Sequence, residues 1–335
     1  MANSVIRLTA AEIAETASLG VALTDAEIAT KLEAGPNDLT GKGSVSVSGA
    51  CVDYSGNIYV SDIDRHIILK IEEGGKLSVL AGKSNVSGDN GTLTNVPASD
   101  ARFNAPVGLA CDKSGNIYVA DSGNHQIRVI RGGTVSHVAG IAGSAGLTNG
   151  QGDVAEFDTP WDVDVTPSGI VYVADRGNDA IRKIVDGNVT TFAGGGGSGD
   201  KDNVASTETQ IFNACQGVAI DANGNLFICD TGNRKIKKIT PNGWVYRHSG
   251  SGVAGKDLGT TAFDCKYNDL RHSAVDQSGN LYVVDANAAL GTRLLRVSTI
   301  GIPAVVNDFN GTGYNDDATA VAFSPGGKMF VVVFD

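Results

Sequence analysis

The stretch Gly115-Asn116-Ile117-Tyr118-Val119-Ala120-Asp121 has four close sisters along the chain. Gly-Asn-Ile-Tyr-Val-Ser-Asp precedes it at 56–62. Gly-Ile-Val-Tyr-Val-Ala-Asp follows at 169–175, Gly-Asn-Leu-Phe-Ile-Cys-Asp at 224–230 and Gly-Asn-Leu-Tyr-Val-Val-Asp at 279–285. A degenerate sixth copy, Gly-Lys-Met-Phe-Val-Val-Val, spans 327–333. The aromatic recurs at 59, 118, 172, 227, 282 and 330, a step of about 54 residues, and a fixed period of this length marks a repeat architecture.

Working outward, each copy reads as four strands. A short apolar strand a, such as Gly217-Val218-Ala219-Ile220, leads into a Ser-Gly-Asn or Asn-Gly-Asn turn, a strong hairpin signal. Strand b is the Ile-Tyr-Val-Ala segment. Asp-x-Gly-Asn turns follow at 121–124, 175–178 and 230–233, then strand c of Ile-Arg-Lys-Ile type at 127–130, 181–184 and 236–239. Strand d ends in Ala-Gly at 81–82, 139–140 and 193–194, and a long Gly/Asp-rich loop leads to Phe103, Phe157, Phe212 and Phe263. Four antiparallel strands repeated radially make a β-propeller, whose closure hides the sheet edges. The small residues of strand a suit the crowded axis, and the aromatic of strand b is expected between blades.

The strand b segment, the Asp-x-Gly-Asn turn, the Ile-Arg-x-Ile strand and the Ala-Gly loop ending in Phe resemble the NHL-repeat propellers, over roughly residues 49–335. The resemblance implies an all-β, six-bladed propeller. It leaves function open, because such propellers include protein- and RNA-binding modules, receptor domains and a few lyases.

The ends set the closure problem. The last copy stops after strand b, so the N-terminus is expected to complete the sixth blade. Ser4-Val5-Ile6-Arg7-Leu8 resembles strand c, and Ser44-Val45-Ser46-Val47 alternates like a strand d. Between them Thr9-Ala-Ala-Glu12 and Thr24-Asp-Ala-Glu27 are capping boxes, which predict two short helices ending at Gly35-Pro36. The chain thus divides into a helical N-terminal extension, 1–43, and a propeller, 44–335. The helices are expected to dock on the propeller or on a partner subunit.

Composition bounds the function. The 335 residues carry a net charge of -11 with basic residues scattered, which disfavours nucleic acid. The 44 glycines supply the positive φ that tight turns need. No stretch approaches a membrane span, and Glu12 and Glu15 interrupt any signal-peptide core. The expectation is a soluble, acidic protein made in the cytoplasm. Cys51, Cys111, Cys215, Cys229 and Cys265 form no CxxC motif and read as small buried residues rather than a disulfide framework.

Strand order places the long loops 83–102, 141–156, 195–211, 250–262 and 307–317 on the same face as the turn residues His66, His125, Asp179 and Arg234. These four hold equivalent positions yet differ in chemistry, as a recognition surface would, and Tyr314 adds an aromatic. They are the binding-face candidates. No catalytic or metal residues are assigned: only His66 and His125 are repeat-equivalent, and the His set of the amidating lyases that the resemblance brings to mind is missing apart from His272. Asp89, Asp200-Lys201-Asp202 and Asp316-Asp317 lie in loops that could offer oxygens to calcium, but without EF-hand spacing. Asp121, Asp175 and Asp230 are too regular for catalysis and are expected to bond the backbone of their own turns. The leading expectation is a non-catalytic binding or structural propeller mediating protein assembly, with a virion component, a phage tail or capsid appendage, as its narrower form. The alternatives are a metal-dependent lyase or lactonase and a glycan-binding module.

Overall fold

The computed structural model describes residues 4–8, 31–32, 46–73, 76–286, 292–298, 301, 303–308 and 317–334. They form an all-β ring. Blade 1 runs Val47–Val52, Ile58–Asp62, Ile67–Ile71 and Lys76–Ala81 from the axis outward. Blade 2 runs Pro106–Cys111, Ile117–Asp121, Gln126–Arg131 and Thr134–Ala139. Blade 3 runs Pro160–Val165, Val171–Asp175, Ala180–Val185 and Asn188–Gly194. Blade 4 runs Cys215–Ile220, Leu226–Asp230, Lys235–Ile239 and Trp244–Ser249. Blade 5 runs Asp269–Val275, Leu281–Ala286, Arg293–Val297 and Pro303–Asp308. A two-residue strand from the preceding loop covers the outer edge of blades 2, 3 and 4, blunting an edge that would otherwise template aggregation.

Among the described residues five sheets are therefore full blades rather than the expected six, and the remaining sheet has three strands, Asp317–Phe323, Met329–Phe334 and Ser4–Leu8. The sixth blade departs from the expected four antiparallel strands. Ser4–Leu8 does pair with strand b of the last copy, but parallel to it, Ser4 opposite Phe330 and Leu8 opposite Phe334. The second predicted helix is also corrected where it is described: Lys31–Leu32 is a strand, parallel to Lys76–Leu77 on the outer edge of blade 1. Backbone pairing with an open edge overrides the local helix signal there. The rest of the predicted helical extension, like Ser44 and Val45, lies outside the described residues. Val47 opens the innermost strand of blade 1 instead of forming a strand d.

Apolar side chains pack between blades rather than within them. Six clusters join sheets 1 and 2, 2 and 3, 3 and 4, 4 and 5, 5 and 6, and 6 and 1, which closes the ring. Tyr59, Tyr172, Phe227 and Phe330 each sit in a cluster with the following blade, as the repeat implied. Phe103, Phe157 and Phe212 are fully buried, but Phe263 is 49% exposed. Tyr267 fills that place in blade 5, because Tyr267-Asn268 and not Phe263 aligns with Phe103-Asn104 and Phe212-Asn213. The glycine that ends strand d explains this slot. Gly140 and Gly250 have φ of +105° and +104°, and a Cβ there would crowd the rings of Phe157 and Tyr267.

The cysteine expectation is overturned at two of five positions. Cys51 and Cys111 form a disulfide between the innermost strands of blades 1 and 2, with Cα atoms 5.9 Å apart. Neighbouring innermost strands approach closely at the axis, so residues about one repeat apart in sequence meet there. Cys215, Cys229 and Cys265 are free and buried, as read.

Candidate binding face and axial channel

The b–c turns and the ends of the long loops meet on one face. Gly123 N–H donates to Asn104 O, Gly177 to Asp158 O and Gly232 to Asn213 O, at 2.8–2.9 Å. The four candidate turn residues, His66, His125, Asp179 and Arg234, share a left-handed backbone, with φ of 59°, 58°, 51° and 52°. Three of them tie one blade to the next. His66 Nδ1 accepts the N–H of Ala105 at 3.0 Å, His125 Nδ1 that of Thr159 at 3.0 Å, and Asp179 Oδ1 that of Ala214 at 2.6 Å. The receiving residues are themselves left-handed, with φ of 49°, 52° and 49°. Each junction thus joins two strained, non-glycine positions through one hydrogen bond. Burial pushes the His66 ring below its usual pKa, against Asp62 and Asp64, so it stays a neutral acceptor. Arg234 makes no such tie, and its Nε is buried without a partner among the described residues. Tyr314 lies outside them.

Sequence reading missed a second layer of this face, the cation buried in each of blades 2 to 5. Arg128, Arg182, Lys237 and Arg293 are almost inaccessible and lie 3.5, 2.9, 3.1 and 2.8 Å from Asp121, Asp175, Asp230 and Asp285. Those aspartates bond their own turns, through Asn124, Asn178 and Asn233 side chains in blades 2 to 4. They also accept the N–H of the incoming loop, at Asn104, Asp158, Asn213 and Asn268. The long loops fold back over the cations. Asp89 reaches Arg128, Thr148 O and Asn149 Oδ1 reach Arg182, and Asp200 reaches Lys235 and Lys237. Phe103, Phe157 and Phe212 lie under Arg128, Arg182 and Lys237 at 5.9, 5.1 and 5.6 Å. The acidic loop residues considered for calcium, Asp89, Asp200 and Asp202, thus face internal cations. The signal was available: an Arg or Lys at this place of strand c accompanies the Asp of strand b in four of its five copies, blade 1 being the exception.

What the loops leave exposed is mixed, with polar residues such as Thr92, Asp100, Asn149, Asp153 and Glu208 beside apolar ones. Among the described residues, four of the nine exposed large apolar residues sit in the long loops, Leu93, Ile141, Val154 and Val253, and Phe263 directly follows one of them. Phe263 carries the Arg247 guanidinium at 4.4 Å, and beside the axis Arg176 covers the Trp161 ring at 4.7 Å.

The innermost strands enclose an axial cavity of about 210 Å³. Its polar lining comes from Asp162, Asp164, His272 and Ser273, the rest being small or apolar. Asp162 accepts N–H bonds from Val163 and Val218, at 2.9 and 3.0 Å, and Asp164 from Val165 and Ile220, at 2.7 and 2.8 Å. Both carboxylates so bridge blades 3 and 4. Burial raises the Asp164 pKa to about 6 and Asp162 well above its usual value. The Nδ1 of His272 accepts the N–H of Val321 at 3.5 Å, and burial lowers its pKa to about 4. No three His, Cys, Asp or Glu side chains converge as a metal site among the described residues.

Comparison with known proteins agrees with this architecture. The NHL repeat family model matches residues 103–130 and 157–184. NHL repeat-containing protein 2 of Bos taurus is 25% identical over 64% of this chain, and the match covers 32% of that protein. Teneurin-3 of Danio rerio is 26% identical over 84% of this chain and 10% of its own length. The chain therefore spans a third or less of these relatives. Among solved structures, a gluconolactonase from Xanthomonas campestris aligns over 86% of this chain and 83% of its own, with a TM-score of 0.58 and 14% identity. Virginiamycin B lyase from Staphylococcus aureus aligns over 87% and 78%, with a TM-score of 0.54 and 12% identity. At such identity the likeness is one of fold.

Proposed function

The chain is an NHL-repeat β-propeller, and we propose that it is a non-catalytic binding module that holds a protein partner on its long-loop face. The supporting observation is the division of labour on that face. Several turn and loop polar groups are spent on ties between blades and on buried cations, while Leu93, Ile141, Val154 and Val253 stand in solvent on the loops among exposed polar residues. Apolar side chains presented on a rigid polar scaffold suit a protein surface better than a charged polymer. Six of the basic residues, Arg65, Arg128, Arg182, Lys235, Lys237 and Arg293, are buried together with seven aspartates, so the exterior keeps the acidic balance of the whole chain. Ser4–Leu8 closes the ring as part of a sixth blade in this reading, and the N-terminal extension anchors the propeller to a larger assembly. The narrower form, a virion appendage, predicts symmetric copies on a particle.

The test is affinity capture from the native source with the wild type and with a Leu93→Asp, Val154→Asp, Val253→Asp variant. A partner held by the wild type and lost by a variant of unchanged melting temperature supports the proposal. Equal capture by both removes the loop face from it. An enzyme of lyase or lactonase type is the second reading, favoured by the axial cavity together with fold neighbours of that kind. A stoichiometric divalent ion in the purified protein would advance it.

A further inference from the structure

Two aspartates in the axial cavity, buried Asp162 and half-buried Asp164, differ from the other buried aspartates of the ring. Asp62, Asp121, Asp175, Asp230 and Asp285 each face an Arg or Lys. Asp53 gathers four hydrogen bonds, from Ser55 N–H, Asn57 N–H, the Asn57 amide and the Tyr59 hydroxyl. Asp162, 2% exposed, and its neighbour Asp164 have only two backbone N–H bonds each and no cation among the described residues. A buried carboxylate without a counter-charge is costly. The repeat does not demand the pair, for the positions of Asp162 and Asp164 hold Gly108 and Ala110 in blade 2 and Gly217 and Ala219 in blade 4. Across the same cavity stands His272 of blade 5, 5% exposed. Its Nδ1 accepts from Val321, so the neutral ring carries its proton on Nε2, which has no protein partner among the described residues. Acceptors on one wall thus oppose an unsatisfied donor on another.

We infer that the axial cavity binds a small ligand whose ammonium group is held by Asp162 and Asp164, with a ligand oxygen accepting from His272 Nε2. A divalent metal suits the site less. It calls for four to eight ligands, and here each carboxylate oxygen already accepts a backbone N–H while no third ligating side chain joins the pair. An ammonium needs only acceptors, and its three N–H groups fit lone pairs left on two carboxylates. About 210 Å³ holds a molecule of the size of an amino alcohol or an amino acid. This ligand is independent of the partner on the loop face.

The experiment is a thermal-shift and calorimetric titration of the full chain with ethanolamine, glycine and putrescine. Ethylene glycol and acetate serve as uncharged and anionic controls, and calcium chloride as the metal control. The expected result is saturable stabilisation by at least one of the amines, with none from ethylene glycol or acetate. Asp164→Asn should weaken that binding at least tenfold. Ethylene glycol decides the role of charge in the wild type even if the variant fails to fold. No shift with any amine overturns the inference, as does a shift with calcium alone or one that ethylene glycol reproduces.

Discussion

Asp179 Oδ1 accepts the backbone N–H of Ala214 at 2.6 Å, fastening the turn of blade 3 to the chain entering blade 4. His66 and His125 do the same at two earlier junctions. Asp179→Ala should leave the Ala214 N–H unsatisfied and its left-handed backbone unsupported, lowering unfolding free energy by about 1–3 kcal/mol. Asp179→His should lose less, since His serves at sister positions. Urea denaturation measures both, and an unchanged midpoint for the alanine variant would show that the tie contributes nothing.

Arg182 is fully buried and reaches Asp175 at 2.9 Å, Glu156 O at 2.7 Å and Thr148 O at 3.0 Å. Arg182→Met should cost about 3–5 kcal/mol, because it strands Asp175 and three further acceptors. Arg182→Lys should be milder, since Lys237 fills the equivalent place in blade 4 with carbonyl partners Ile211 O and Lys201 O. Equal losses for Met and Lys would mean that shape, and not charge, sets the stability of this layer.

The disulfide between Cys51 and Cys111 encloses a loop with a sequence separation of 60. Loop-closure entropy for that length is worth about 4 kcal/mol. Mass spectrometry without reductant should find the two peptides linked, and reduction should lower the melting temperature. A Cys51→Ala, Cys111→Ala variant should melt like the reduced wild type and be indifferent to reductant. Finding both thiols free in protein handled under air would refute the pairing.

Asp164 and His272 pull the pH profile in opposite directions. With its folded pKa raised to about 6, Asp164 holds a proton that the unfolded chain releases near 3.8. Its stabilising contribution is complete below 3.8 and fades as the pH rises through 6. His272, lowered to about 4, stays neutral while the unfolded residue protonates near 6.5, so stability falls as the pH drops from 6.5 to 4. Relative to the wild type, Asp164→Asn should therefore gain stability as the pH rises from 4 to 7, and His272→Gln should gain as it falls over that range. Melting curves across the range check both, and parallel profiles for all three proteins would contradict the burial argument.

Much of the scaffold was legible in the sequence because the period repeats its chemistry. The Gly-Asn-Ile-Tyr-Val-Ala-Asp copies fix strand b, and the Asp-x-Gly-Asn turns fix the hairpins after it. The parallel direction of Ser4–Leu8 was not legible, since one isolated strand carries no orientation signal. Nor was the bond between Cys51 and Cys111, which depends on neighbouring strands meeting at the axis. The inter-blade role of the candidate turn residues was not legible in the sequence. His66, His125 and Asp179 vary in type yet share one task, accepting an N–H from the next blade, which both a ring nitrogen and a carboxylate can do. At three of the four matched positions the variation thus conserves one hydrogen-bonding task, which Arg234 does not share. Conversely, the pair at Asp162 and Asp164 looked like ordinary strand residues, because only the folded ring shows that no cation among the described residues reaches them.

Hydrogen–deuterium exchange of the propeller, free and bound to the partner recovered from its native source, tests the central claim most directly. The account predicts new protection in the loops 83–102, 141–156 and 250–262, with the outermost strands unchanged. Protection confined to the opposite face, in the a–b turns around Tyr54 and Lys113, would contradict it.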